Sequence, residues 1–204
     1  MSAGRDAAAT SGRPREAQNL IIPHFHSQIV PESQDLWLIR FLEGSIVAMK
    51  IEYFHASKYG NGVVVAEEFK KRMAARGIAV SVRHIREARP KEMPPADLYL
   101  FSSPGRLGKP IGAMRRFLKK ANLPPAAKYA ILTTEMPTPE ERSKWRRVIP
   151  IMSRILQEKG LVEVAQGTIL VTGIKGPLEE GWQKKVEAFV SQISSSPAKE
   201  TPRP

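Results

Sequence analysis

The chain has 204 residues, of which 42% are hydrophobic, enough to bury the core of one medium-sized globular domain. It contains no cysteine, which excludes disulfides, thiolate nucleophiles and thiolate-held metal centres and favours a reducing, cytoplasmic setting. No apolar run approaches the roughly 18 residues that a membrane span needs. The net charge is +12, with the excess in residues 49–194. This charge indicates either an ordinary solvated surface or an affinity for acidic partners or anionic ligands.

The two ends of the chain differ in composition from the middle. Residues 1–48 carry apolar patches without a sustained helical or strand period, so we expect a largely disordered or loosely packed N-terminal extension. Residues 194–204 are rich in Ser and Pro and are expected to form a disordered tail. His24 and His26 lie close together in the extension, but a metal site would need further ligands and is not expected. The folded domain is therefore predicted at residues 49–193.

Between these ends, strand-like and helix-like segments alternate. Runs rich in β-branched and aromatic residues predict five strands, at 50–56, 78–85, 96–103, 128–134 and 161–173. Apolar residues at helical spacing predict four helices, the first of which begins near Gly62. The apolar residues of these helices are, in chain order, Val65, Ala66, Phe69 and Met73, then Ile111, Met114, Leu118 and Ala121, then Trp145, Val148, Met152 and Ile155, and finally Leu178, Trp182, Val186, Phe189 and Ile193.

The alternation predicts an α/β fold: a doubly wound, five-stranded parallel sheet with helices on both faces. In such sheets, ligands bind outside the carboxyl ends of the strands, at the switch point of the winding. The first strand–helix loop lies at this edge. Its sequence is therefore the first place to look for a binding site.

The loop HASKYGNG, residues 55–62, has the features of an anion-binding turn. The helix that follows it presents unpaired backbone N–H groups and the positive end of its dipole. Gly60 and Gly62 allow positive φ and close approach of a ligand, while Ser57 and Asn61 supply hydrogen-bonding side chains. Together these features suit a terminal phosphate. An ordinary strand–helix turn is the alternative interpretation.

The residues around this loop bear on which phosphate it would bind. No GxxxxGK[ST] motif is present in the chain, which excludes a P-loop nucleotidase. Gly60, Gly62 and Ala66 match a loose GxGxxxA dinucleotide pattern, but the glycines do not follow the strand directly. The second strand ends with Arg83 and Arg86 nearby and without an acidic residue for a ribose hydroxyl. A Rossmann-type NADP-binding protein is therefore a minor alternative.

Two stretches resemble the flavodoxin-like FMN proteins. SKYGNG, residues 57–62, lies in register with the [TS]x[TS]GxT phosphate loop of that family. Its ASKYG form is similar to that of flavodoxin-domain proteins related to menaquinone-dependent protoporphyrinogen oxidase. LYLFSSPGRLGKPIGAMRRFL, residues 98–118, is similar to the family pattern IxxGSPxxxGxxxxxMxxFL. The resemblance covers the whole predicted domain, residues 49–193.

The resemblance implies strand order 2-1-3-4-5 and FMN at the carboxyl edge of the sheet. It assigns the FMN phosphate to Ser57, Lys58, Tyr59, Gly60, Asn61 and Gly62. It assigns the flavin ring to two segments, of which one comprises Ser103, Pro104, Gly105, Arg106, Leu107 and Gly108, and the other, residues 133–141, includes Thr134, Glu135 and Met136. Gly62 stands where the family usually has Thr, and neither ring-side segment contains an aromatic residue.

Two classes of function follow. The first is an FMN-binding redox protein, either an electron carrier or an oxidoreductase acting on a quinone, a porphyrinogen or a nicotinamide, because the flavin itself supplies the redox chemistry. Its partner would be a redox protein, of acidic character given the net charge, or a small-molecule electron donor or acceptor. The second class is a degenerate flavodoxin-like scaffold without flavin that acts as a basic binding module. Nucleic acid is not an expected partner of the redox protein.

Overall fold

The computed structural model of the protein describes residues 49–137 and 147–195. The predicted N-terminal extension, residues 1–48, lies outside the described residues, as do residues 138–146 and 196–204. The described elements, in chain order, are β1 (Lys50–His55), α1 (Asn61–Ala74), β2 (Ala79–His84), β3 (Leu98–Ser102), β4 (Gly105–Arg106), β5 (Lys109–Pro110), α2 (Gly112–Lys120), β6 (Lys128–Glu135), α3 (Val148–Gln157), β7 (Val162–Leu170) and α4 (Trp182–Ser195).

Five of these strands form one parallel sheet with the order β2-β1-β3-β6-β7. The short strands β4 and β5 pair with each other as an antiparallel hairpin outside the sheet. When only the five sheet strands are numbered, the order is 2-1-3-4-5, so the predicted topology is confirmed. This order differs from the usual Rossmann order 3-2-1-4-5-6, in which the third strand lies beyond the second rather than beside the first.

Helices cover both faces of the sheet, as predicted. On one face, α1 and α4 pack over the sheet, and Phe69 packs edge-on against Tyr53 of β1 with ring centroids 5.6 Å apart. On the other face, α2 and α3 pack over Phe54 and Phe101, whose rings stack at 5.9 Å. Burying each side chain of this size stabilises the fold by roughly 1.5–3 kcal/mol. β1 and β3 are buried along most of their length because strands and helices surround them, and their carboxyl ends carry the site.

The last helix begins later than the apolar spacing predicts. Leu178 lies outside α4, which begins at Trp182, and forms an antiparallel bridge with Val171 at the end of β7. Gly176 has φ +110°, a conformation that glycine adopts readily, and the chain turns back towards β7 at this point. The strand predicted at 161–173 is shorter in the structure: β7 ends at Leu170, just before the bridge between Val171 and Leu178. The prediction for Leu178 was therefore wrong.

The connection between β2 and β3, residues 85–97, contains no helix and matches the predicted loop. β2 is an edge strand and is only partly buried, since this loop replaces a covering helix. None of the helices within 49–137 and 147–195 combines the length and the apolar character that crossing a bilayer requires.

Candidate functional site

Three segments that follow neighbouring strands meet at the carboxyl edge of the sheet. The loop after β1 and the loop after β3 leave the sheet side by side, and the Ala56 N–H donates to the Ser102 carbonyl at 3.0 Å. The segment after β6 joins them on the other side of β3, where Pro104 forms a parallel bridge with Thr134. The structure therefore brings the predicted phosphate loop and the described part of both predicted ring-side segments to one edge.

The phosphate loop leads into α1 through a left-handed glycine. Gly60 is the N-cap of α1, with φ +89° and no side-chain capping bond, and its carbonyl accepts from the Val63 and Val64 N–H groups at 2.8 and 3.0 Å. Among the described residues, the backbone N–H groups of residues 58–61 donate to no acceptor. α1 also has no acidic residue in its first turn. The loop therefore presents several donors and a positive helix end to solvent, which suits an anion.

Ser57 closes this loop from inside. Its Oγ accepts the Gly62 N–H at 3.1 Å, so one of the free donors of the helix start is already used. A Cβ on Gly62 would lie 3.0 Å from Ser57 Cβ and 3.2 Å from its Oγ. The tight contact explains why glycine stands where the resembling family usually has Thr. The Ser57 hydroxyl proton is still able to donate, because a hydroxyl can accept and donate at the same time.

The other side chains of the phosphate loop make different contacts. Lys58 Nζ lies 5.2 Å from the centroid of the Tyr59 ring, a cation–π distance, and Tyr59 is 46% exposed. Asn61 packs against the loop after β7, since a Cβ on Gly176 would lie 2.7 Å from Asn61 Oδ1. The contact between Asn61 and Gly176 was not predicted. The glycine–proline pair at 176–177 is a turn signal, but nothing in the sequence indicates what the turn would contact.

The first ring-side segment is a hairpin rather than an irregular loop. Leu107 and Gly108 connect β4 to β5 with φ values of 51° and 69°, and positive φ at both central residues is the pattern of a type I′ turn. Leu107 is 90% exposed at the tip. Ser103 is buried at the base, where its Oγ accepts the Ile111 N–H at 3.2 Å. Ser103 therefore holds the hairpin in place.

The second ring-side segment supports this hairpin from behind. A Cβ on Gly105 would lie 2.8 Å from Glu135 Cγ and 3.1 Å from Val148 Cγ2, so only glycine fits there. Thr133 Oγ1 donates to Glu135 Oε1 at 2.9 Å. Thr134 and Glu135 are buried and hold the two segments together, whereas the next residue, Met136, is 45% exposed. The rest of the predicted segment, residues 138–141, lies outside the described residues.

A buried histidine lies directly before the phosphate loop. His55 ends β1 beside His84 of β2, with ring centroids 5.2 Å apart. Its Nδ1 accepts the Ser57 N–H at 3.5 Å, a long hydrogen bond. Burial, followed by the neighbouring His84, lowers the pKa of His55, although Glu87 and Glu67 act in the opposite direction. Because the contact between His55 and His84 depends on the pairing of β1 with β2, the sequence alone does not reveal it.

Apolar side chains are unusually exposed at this edge. Tyr59, Leu107, Met136 and Ile174 each lie in a segment that follows a sheet strand, and each is between 45% and 90% exposed. Large apolar side chains scattered singly on a surface need no explanation, but four on one edge beside a turn with free N–H donors would suit a ligand with an apolar part and a negatively charged part. Arg106 and Lys109 are exposed beside Leu107 and form no ion pair with a described residue.

Comparison with known proteins supports this fold. No family model matches the chain, and no curated protein matches its sequence. Oxidised flavodoxin 2 from Bacillus cereus matches with a TM-score of 0.58 at 18% identity, covering 71% of this chain and 97% of that one. A flavodoxin from the domain Archaea matches at 0.57 and 15% identity, covering 74% and 100%. A Fusobacterium nucleatum flavodoxin bound to flavin mononucleotide matches at 0.52 and 12% identity, covering 72% and 97%.

The chain therefore has a flavodoxin-like fold, and its structural neighbours include several flavodoxins. At such low identity the similarity concerns the fold alone. The finer resemblance to protoporphyrinogen oxidase-related proteins, the cofactor and the role of each site residue stay predictions.

Proposed function

We propose that this protein binds FMN at the carboxyl edge of its sheet and transfers electrons through it. The observation that carries the proposal is the first strand–helix turn, where the N–H groups of residues 58–61 are free and the N-cap residue, Gly60, makes no side-chain capping bond. Exposed apolar side chains surround this turn on the same edge. One of the solved flavodoxins with this fold has flavin mononucleotide bound. A ligand with a terminal phosphate and a flat apolar ring fits both halves of the edge.

The residues present fit the two parts of FMN. The phosphate would be held by the backbone N–H groups of residues 58–61, by the Ser57 hydroxyl and by the charge of Lys58. The ring would be covered by apolar side chains, for which Tyr59, Leu107 and Met136 are available. Ser103, Gly105, Thr134 and Glu135, in contrast, would support the segments without contacting the ring, because they are packed into one another.

FMN, when bound, supplies one- and two-electron transfer at its ring, and the protein only needs to bind, orient and tune it. Arg106 and Lys109 set the charge beside the predicted ring position and favour the more negative, reduced form of a bound flavin. The hairpin tip, with the exposed Leu107, would cover one side of a bound ring and keep water from it. The ASKYG resemblance extends the proposal to a quinone or a porphyrinogen as the substrate.

Titration with FMN tests the proposal, using quenching of flavin fluorescence and the flavin absorbance bands of the purified protein. Gly60→Val should abolish measurable binding, because a β-branched side chain resists φ +89° at the N-cap. Gly77→Val is a matched control, since Gly77 follows the other end of α1 with φ +72° and, like Gly60, has open space around it. Equal FMN affinity in Gly60→Val and Gly77→Val would contradict the proposed phosphate site.

A second candidate is the flavodoxin-like scaffold without flavin. It is favoured by one observation: the two ring-side segments contain no aromatic residue to stack on the ring. If the protein is such a scaffold, the purified protein should show no flavin absorbance. The fluorescence of added FMN should then not be quenched in the titration. The same experiment thus decides between the two classes of function.

A further inference from the structure

The two helical layers of the protein differ in how their charges are paired. In the layer of α1 and α4, Arg72 and Arg76 both pair with Glu187, and Arg72 also pairs with Glu68. No ion pair between described residues involves a residue of α2 or α3. Residues 98–134, which include α2, carry seven Lys or Arg and no Asp or Glu. More than half of the net charge of +12 therefore comes from this one segment.

Four of these cations form two rows on the exposed side of α2. Arg115 and Lys119 are four residues apart, as are Arg116 and Lys120, and all four are exposed. A Cβ on Gly112 would lie 3.4 Å from Arg116 Nη1 and 3.9 Å from Arg115 Nη2, so both guanidinium groups reach back to the start of the helix. Cations in a first turn oppose the helix dipole, and like charges at this spacing repel each other. The two arginines at the helix start and the like-charge pairs therefore cost stability, whereas Lys119 and Lys120 lie in the last turn, where cations complement the dipole.

The hairpin before α2 adds two more cations that repel each other. Arg106 and Lys109 are direct cross-strand partners, and like charges in this position are destabilising. Several locally unfavourable choices thus coincide on adjoining elements, and conflicts of this kind occur in natural proteins chiefly at functional sites. We define the basic face by six residues: Arg106, Lys109, Arg115, Arg116, Lys119 and Lys120.

We propose that the basic face binds the acidic surface of a partner protein. This partner would exchange electrons with the flavin, a step that rests on the function proposed above. Charge complementarity on a rim mainly accelerates and orients encounter, which suits a transient complex. The face includes Arg106 and Lys109 of the hairpin, whose tip lies at the edge proposed to bind flavin, so a partner bound to the face would be close to the redox centre.

The structure favours an acidic protein over two other polyanions that could bind a basic face, namely single-stranded nucleic acid and an anionic membrane surface. Single-stranded nucleic acid binds on exposed aromatic side chains, but Phe117, the only aromatic residue of α2, is buried. A membrane surface requires apolar side chains that insert beside the cations. Leu107 is the only exposed large apolar residue between residues 98 and 134.

Binding of a labelled peptide rich in Asp and Glu to the full chain tests the proposal, measured by fluorescence anisotropy without added FMN. We expect binding that weakens as salt is raised, because exposed charges are screened. Arg115→Glu combined with Lys119→Glu should weaken it at least about tenfold. Lys70→Glu combined with Lys71→Glu is the matched control: it changes the net charge equally, on exposed positions of α1, and should weaken binding by less than about twofold.

Three outcomes would overturn the proposal: no peptide binding at low salt, an equal loss in both double variants, or tighter binding of a single-stranded oligonucleotide or of vesicles containing anionic lipid. The first two would reduce the basic face to a solvated surface. The third would assign it to the other polyanion. Since FMN takes no part in this measurement, its result does not depend on the FMN titration, and either proposal can fail while the other stands.

Discussion

Ser57 and Gly62 contact each other across the phosphate loop, and this contact leaves little space for a side chain at residue 62. The Ser57 Oγ accepts the Gly62 N–H at 3.1 Å, and a Cβ on Gly62 would lie 3.0 Å from Ser57 Cβ. The departure of this chain from the resembling phosphate-loop motif is therefore linked to a hydrogen bond inside the loop. Restoring the motif residue would break that link.

Gly62→Thr should destabilise the protein rather than improve the site. Because the new side chain meets Ser57 Cβ within a tight turn, we expect a loss of about 1–3 kcal/mol in the free energy of unfolding, measured by urea denaturation. FMN affinity should not rise. Gly112→Thr is the control, since Gly112 also lies at a helix start but meets only flexible guanidinium ends. A more stable Gly62→Thr protein with tighter FMN binding would show that the loop opens easily and that this explanation of Gly62 is wrong.

Ser57→Ala should weaken FMN binding by roughly tenfold, the value of one charge-assisted hydrogen bond to the phosphate. It also removes the acceptor of the Gly62 N–H, a capping-type bond, so a stability loss of about 0.5–2 kcal/mol accompanies it. Ser194→Ala is the control, because the Ser194 hydroxyl donates to the Val190 carbonyl within α4. Fluorescence titration reads the affinity. Unchanged affinity in Ser57→Ala would exclude a direct role of this hydroxyl in phosphate binding.

The fold was predictable from the sequence because its strands and helices have strong local patterns. β3 is a nearly continuous apolar run, as expected of a strand buried on both faces, and β1 is rich in aromatic residues. Phe69 and Met73 follow Val65 at helical spacing. The position of Leu178 was predicted wrongly for an equally physical reason. Its helical spacing to Trp182 continues the stripe of α4, but the turn at Gly176 places it in a bridge to β7.

The sequence predicted where the candidate site lies in the fold, but not the contacts between its residues. The hairpin tip lacks the Asn-Gly or Asp-Gly pair that usually identifies a two-residue turn, since Leu107 occupies its first central position. The packing of Glu135 behind Gly105 joins residues thirty positions apart. The contact of His55 with His84 arises only when β1 and β2 pair in register. Such relationships depend on tertiary structure, and no local sequence pattern encodes them.

Deletion of residues 1–48 should leave a cooperatively folding protein. Among the described residues, both hydrophobic clusters that cover the sheet draw their members from residues 49–193, and β1 begins at Lys50. The expected result is a single sharp thermal transition, followed by circular dichroism, for a chain that starts at Met49. A broad transition without cooperativity would show that the extension contributes to the folded core, and the predicted domain boundary would be wrong.

His55 should make the stability depend on pH in the mildly acidic range. Its pKa is lowered in the folded protein, chiefly by burial, so the unfolded chain binds the proton more tightly. Stability is therefore complete above the ordinary histidine pKa of about 6.5 and falls as the pH drops below it, by at most about 1.4 kcal/mol per pH unit. Urea denaturation between about pH 7.5 and pH 5.5 measures this effect, which should be smaller in His55→Gln. An identical pH dependence in both proteins would show that His55 does not cause it.

The charge beside Leu107 should set the potential of a bound flavin. Reduction adds negative charge to the ring, and a unit positive charge about 5 Å away favours the reduced form by roughly 3 kcal/mol at an effective dielectric constant of about 20, before salt screening. Arg106 is exposed and unpaired among the described residues, so screening reduces this value without changing its sign. We therefore expect a high reduction potential for the FMN-bound protein.

Arg106→Glu should lower that potential, whereas Lys71→Glu, an equal charge change on α1, should leave it nearly unchanged. Potentiometric titration of the FMN-bound proteins at two salt concentrations makes the comparison, and the effect of Arg106→Glu should shrink at the higher concentration because the charge is exposed. A high potential suits the acceptance of electrons from a reduced substrate or their transfer to a quinone better than donation to a low-potential partner. If both variants shift the potential equally, the ring responds to the net charge of the protein and not to the hairpin, and Arg106 has no specific role in tuning it.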